Sequence, residues 1–156
     1  MISTGMRGAF ITRMANKIQS FRDLLAWQKA MDLVEFVYRM TADFPSSEQF
    51  GLTAQMRKAV VSIPSNIAEG SRHRLPGYLS RVIIALGEHA EVETQALVAG
   101  RLGYISESTL RTFEGRSAQV GELTHGLLRS LEAKLAQTRN EKSPSYEYEI
   151  PASDKY

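Results

Sequence analysis

The chain has 156 residues, 43% of them hydrophobic and 23% charged, with no cysteine and a formal net charge of +2. That length suits one domain with a sizeable core. The missing cysteines exclude disulfides and thiolate metal sites, and allow a reducing compartment. Apolar runs of a few residues fall short of the roughly 20 that a membrane span needs. The only apolar patch near the start, Gly8-Ala9-Phe10-Ile11, is too weak for a secretory signal, so a cytoplasmic location is expected.

Charge is spread unevenly. Residues 1–20 hold Arg7, Arg13 and Lys17 and no acid, and read as a flexible leader. Residues 21–138 hold 13 basic and 13 acidic side chains, and residues 139–156 carry a net −1. With no basic field over the whole chain, any nucleic-acid argument has to be local.

The first helix is expected from about Phe21 to Asp43. At 100° per residue Leu24, Trp27, Met31, Val34 and Tyr38 share one face, and Leu25, Leu33, Phe36 and Met40 fall nearly opposite. The first set reads as a bundle core and the second as a subunit interface; the other reading is a helix buried all round. Phe44-Pro45 closes this helix, because the residue before proline leaves the α region. Ser46 or Ser47 can cap a second helix, with Glu48 in its first turn. That helix carries Phe50, Leu52, Met56, Val60, Ile63 and Ile67 at bundle-like spacing. Pro64 interrupts it and predicts a kink, with Ser62, Ser65 and Asn66 placed to satisfy freed carbonyls and Gly70 to end the helix.

A third helix is expected over Pro76–Leu102, with an apolar face of Tyr78, Leu79, Val82, Ile83, Leu86, Ala90, Ala96 and Leu97, ended by Gly103. The fourth starts at Ser106 or Ser108 and reaches about Thr138, with Leu110, Phe113, Val120, Leu123, Leu127, Leu131 and Leu135 on one stripe. Residues 139–156 read as a mobile tail, although the alternation from Tyr146 to Ile150 could pair with a strand. The fold class is all-α: an up-down-up-down four-helix bundle over residues 21–138.

These residues also carry a resemblance. Phe21-Arg22-Asp23-Leu24 with Ala26-Trp27-Gln28-Lys29-Ala30, Phe44-Pro45 with Glu48 and Gly51-Leu52, Gln55 with Arg57, and Ser62-Ile63-Pro64-Ser65-Asn66-Ile67-Ala68-Glu69-Gly70 belong together. With Ala85, Gly87, Glu91 and Leu102-Gly103-Tyr104-Ile105, they resemble the four-helix bundle proteins encoded in intervening sequences of bacterial 23S rRNA genes. The resemblance covers about Phe21 to Ala133, and the run from Ser62 to Gly70 is its most specific part. One departure is Glu88, where the family usually has serine. The resemblance implies a homopentamer around a central channel. It also implies similarity to the accessory variability determinant of diversity-generating retroelements, hence nucleic acid, RNA or DNA, and a reverse transcriptase as partners. No enzymatic activity or cofactor is implied.

The chemistry is local. Between Met56 and Ile83 stand Arg57, Lys58, Arg72, Arg74 and Arg81 against one acid, Glu69. Lysine and arginine contacts to phosphate supply most non-specific nucleic-acid affinity, and a ring would multiply the patch. The bland reading pairs Arg57 and Arg72 with Glu69 or a neighbouring subunit. No aromatic residue interleaves the cluster as a stacking platform. Ser62, Pro64, Asn66, Glu69 and Gly70 read as structural, with Asn66 and Glu69 as alternative liners of a subunit contact or channel mouth. His89 with Glu93, and Glu122 with His125, have ligand-like spacing, but a di-iron bundle needs two inward Glu-x-x-His motifs; a buried hydrogen-bonded His89–Glu93 pair is expected instead of a metal site. The Gly-rich phosphate-binding patterns are absent. The function expected is a non-enzymatic, oligomeric, nucleic-acid-associated accessory or scaffold protein, the alternative being a structural or protein-interaction module that binds no nucleic acid.

Overall fold

A computed structural model describes residues 18–142, so the leader up to Lys17 and the segment Tyr146–Ile150 lie outside it. Four helices form the body: α1, Leu25–Met40; α2, Leu52–Gly70; α3, Leu75–Arg101; and α4, Glu107–Lys142. A short 3-10 turn at Phe21–Asp23 precedes α1, and two more at Thr41–Asp43 and Ser46–Glu48 join α1 to α2. Among the described residues there is no strand. Each helix packs on the next and α4 returns to α1, with the α2–α3 contact the most extensive. The fold is an all-helical four-helix bundle.

The start of the bundle is a capping box. Ser20 Oγ accepts from Arg22 N, and Asp23 Oδ2 accepts from Gln19 N and Ser20 N. Leu24 is extended and separates this turn from α1, so the single helix expected from Phe21 is two pieces. Phe44 is extended before Pro45, and the capping of α2 differs from expectation. The cap comes from Glu48, whose Oε2 accepts from Leu52 N at 2.8 Å, not from a serine. Gly51 leaves room for that carboxylate: a Cβ there would meet Glu48 Oε2. Phe50 is 88% exposed and precedes the helix.

α2 continues through Pro64. Proline removes the donor for the Val60 carbonyl, four residues back. Its polar neighbours bind the next two carbonyls: Ser65 Oγ donates to Val61 O, and Asn66 Nδ2 to Ser62 O, both at 2.8 Å. Gly70 has no positive φ, since Gly103 alone among the described residues does. Its role is space, because a Cβ would lie 2.6 Å from Tyr78 Cδ2 and 2.9 Å from Arg81 Cβ. Gly103 ends α3 in the left-handed region with Tyr104 N donating to Ala99 O, a Schellman-type stop. α4 runs past Thr138 to Lys142, into what reads from sequence as tail.

The core corrects the reading of α1. Ala26, Ala30, Leu33, Val37 and Met40 face inward, at alternating steps of four and three. Leu33 is fully buried and Met40 nearly so, and neither can serve a subunit interface. Phe36 is half-buried against the core and Leu25 is exposed. Two opposed apolar faces do occur, but on α3. Val82, Ala85, Val92, Ala96 and Ala99 are buried, whereas Ile83, Ile84, Leu97 and Val98 on the other side are exposed. The core side of α3 is alanine-rich, which lets α2 and α3 approach closely and leaves the larger side chains outside.

Candidate nucleic-acid interface

The five basic residues singled out in the sequence do not form one patch. Arg57 is half-buried where α1 ends: its Nε donates to Thr41 Oγ1 at 2.9 Å and its guanidinium lies 4.7 Å from the Tyr38 ring centre. Arg81 is held by Glu69 at 2.7 Å and by Asn66 Oδ1 at 3.4 Å. So Glu69 neutralises Arg81, not Arg57 or Arg72, and it also reaches His73 at 3.8 Å. Lys58 is exposed on α2, but a rise of 1.5 Å per residue puts it roughly 20 Å along the axis from Arg72. Only Arg72 and Arg74 remain close, exposed in the α2–α3 turn.

Folding supplies others. Arg22, from the turn before α1, and Lys134, on α4, line one cavity with Arg72. The cavity measures about 460 Å³, and Ser20, Ser71 and Ser130 add hydroxyls to its wall. Leu24, Leu127, Leu131, Phe21 and Tyr78 supply the apolar part. Among the described residues none of Arg22, Arg72, Arg74 and Lys134 is in an ion pair. Helix length builds this corner: α4 has 36 residues and α3 has 27, so at the helical rise α4 is longer by roughly 14 Å. Arg22 has one local sequence signal. The acid beside it, Asp23, is engaged by backbone amides in the capping box, which leaves the guanidinium without a carboxylate partner, 4.9 Å from the Phe21 ring centre. Lys134 has no such signal, and lies 62 residues from Arg72 in the chain.

The polar groups inside the bundle are committed elsewhere. With its proton on Nε2, His89 donates to Ser117 O at 2.9 Å and to Ser117 Oγ at 2.8 Å. Ser117 Oγ in turn donates to Glu93 Oε1 at 2.8 Å. Gly121 makes room for the ring, since a Cβ there would lie 2.9 Å from His89 Cε1. A nucleophilic triad needs histidine between serine and acid; here serine stands in the middle and is fully buried. The cluster therefore reads as a clasp between α3 and α4. Among the described residues no group of three or more His, Asp or Glu side chains is placed to hold a metal, and no helix is long and apolar enough to cross a membrane.

The profile of the 23S rRNA-intervening sequence protein family matches residues 22–126, more than half of the chain. The chain belongs to this family. No curated protein matches it. A solved structure from Bacteroides thetaiotaomicron VPI-5482, a protein of unknown function from the S23 ribosomal protein family, has a TM-score of 0.59 and 19% sequence identity. The match covers 67% of this chain and 98% of that one. At that identity the likeness shows the fold alone, and the family relationship rests on the sequence profile.

Proposed function

We propose that this member of the family is an oligomeric accessory protein that holds nucleic acid by its backbone. The observation that carries the reading is the basic end of the bundle, where Arg22, Arg72, Arg74 and Lys134 are exposed and free of carboxylate partners among the described residues. Such side chains attract phosphates without reading bases. Self-association is supported by two uncovered apolar surfaces. One is the outer face of α3, where Ile83 is 57% and Leu97 48% exposed. The other is a groove of about 380 Å³ between α1 and α2, walled by Trp27, Met31, Val34, Val61, Pro64 and Ala68. These are different patches, and contacts between different patches build rings when the rotation between neighbours closes. A ring of five, which the sequence resemblance implies, would present five basic ends.

Titrating RNA and DNA at two salt concentrations tests the reading. We expect binding at low salt that weakens steeply as salt rises, and that an Arg72→Ala/Arg74→Ala variant loses in part. No binding at low salt would leave the protein as an interaction module only. Light scattering after size exclusion tests assembly: the wild type should elute as a cyclic oligomer and Ile83→Glu/Leu97→Glu as a smaller species. A wild-type monomer at micromolar concentration would end the self-association reading.

A further inference from the structure

The cavity at the basic end has features that backbone contact alone does not call for. Its three cations come from three separate segments, the turn before α1, the α2–α3 turn and α4, and among the described residues no carboxylate lines it. An internal phosphodiester carries a single negative charge, whereas a phosphate monoester carries about −1.5 to −2 near neutral pH. Three cations lining one cavity therefore match a monoester better than a link within a strand, and Ser20 and Ser130 add hydroxyls that can donate to its oxygens, whereas the Ser71 hydroxyl already donates to Ala68 O at 2.7 Å. The rest of the wall is not suited to an inorganic ion. Leu24, Leu127, Leu131 and the rings of Phe21 and Tyr78 present apolar surface. The volume falls within the roughly 300–1,000 Å³ range of small-molecule sites.

Taking this chemistry together with the proposed nucleic-acid function, on which it rests, we infer that the cavity binds a nucleoside 5′-monophosphate, free or as the phosphorylated end of a strand. The phosphate lies among Arg22, Arg72 and Lys134, and the sugar and base lie toward Tyr78 and the leucines of α4. Burial pushes the Tyr78 phenol above its ordinary pKa, so its hydroxyl keeps its proton beside a bound anion.

The test compares short RNA strands of one sequence, with and without a 5′-phosphate, and adenosine 5′-monophosphate as competitor, on the full chain at fixed salt. The phosphorylated strand should bind at least tenfold more tightly, and the mononucleotide should remove that advantage. Arg72→Ala/Lys134→Ala should abolish the difference between strands. So should Ser130→Trp, which fills the cavity without changing charge, while leaving the affinity of the hydroxyl strand intact. Arg39→Ala, which removes a guanidinium already paired with Glu35 on exposed α1 surface, should change nothing. Equal affinity for the two strands, or an advantage that survives in both cavity variants, would overturn the inference. If neither strand binds at low salt, the nucleic-acid reading falls by itself. The cavity is then judged on direct titration: mononucleotide binding lost in Ser130→Trp sustains the site, and no mononucleotide binding removes it.

Discussion

The two ends of the bundle use the same residue types in opposite ways. Where α1 passes to α2, the polar groups of that connection are closed on one another. Arg57 binds Thr41 and covers Tyr38, while Glu48 caps α2 with one oxygen and accepts from the Tyr104 hydroxyl with the other at 3.0 Å. Phe44 packs on the Tyr104 ring. At the end where α2 passes to α3, Arg81 alone is closed in this way, by Glu69 and Asn66, and Arg22, Arg72, Arg74 and Lys134 are left open. One arginine is a rivet and another is a hook, and composition does not distinguish them. What distinguishes them is whether folding brings an acceptor within reach, and the two ends can be separated by experiment on that basis.

The largest expected effect strikes the open end through its packing. Gly70 has Tyr78 and Arg81 within contact of the position a Cβ would take. Gly70→Val must push α3 away from α2 or displace the Tyr78 ring, and overpacking of this kind costs about 1–3 kcal/mol. Urea denaturation should show the loss. Because Tyr78 also walls the cavity, binding of a 5′-phosphorylated strand should weaken in the same variant. Unchanged stability would mean that the α2–α3 approach is looser than the structure has it.

The helical class and the four-helix count were legible because apolar residues recur at helical spacing and proline or glycine marks the breaks. The inward face of α1 was not. Apolar residues occupy both sides of that helix, and the largest, Trp27, Phe36 and Tyr38, draw the eye. The helix instead buries Ala26 and Ala30 beside Leu33 and Val37, because close helix packing favours small side chains where backbones approach. The same physics hides the second apolar face of α3, whose buried side is Ala85, Ala96 and Ala99. Half of the open end was legible: Arg72 and Arg74 stand together in the chain. Arg22 and Lys134 lie far apart in sequence and meet Arg72 only because α4 packs along α1 and α3. Arg57 misled because its partners, Thr41 and Tyr38, precede it by more than four turns' worth of chain and lie on another helix.

At the closed end the next effect is smaller. Glu48→Ala removes the acceptor at the start of α2 and the partner of Tyr104 together, and caps of this kind contribute about 0.5–2 kcal/mol. Tyr104→Phe isolates the second contact. The hydrogen bond to Glu48, then burial, then the Glu48 charge raise the Tyr104 pKa in the folded protein above the ordinary value of 10.0. The folded state thus holds this proton more tightly than the unfolded one. The contribution is complete below pH 10 and is lost as pH rises through the folded value. Wild type should therefore lose stability on the alkaline side of pH 10 more steeply than Tyr104→Phe. Parallel profiles would remove the Tyr104–Glu48 bond from the account.

The last two variants make the sharpest contrast, because their effects reverse between the two ends. Arg57→Ala loses one hydrogen bond and a cation–aromatic contact, together about 1–2 kcal/mol of stability, and should leave strand affinity and its salt dependence as they were. Arg72→Ala/Arg74→Ala removes two exposed side chains without ion-pair partners among the described residues, which should shift stability by no more than about 0.5 kcal/mol. In the same variant the slope of log affinity against log salt should fall by about 1.4 for a single strand, at roughly 0.7 per phosphate contact. Measuring both quantities on both variants gives four numbers, and the division of labour requires each variant to move one quantity and leave the other. A changed salt slope for Arg57→Ala would make the closed end part of the binding surface. An unchanged slope for Arg72→Ala/Arg74→Ala would take the α2–α3 turn out of it.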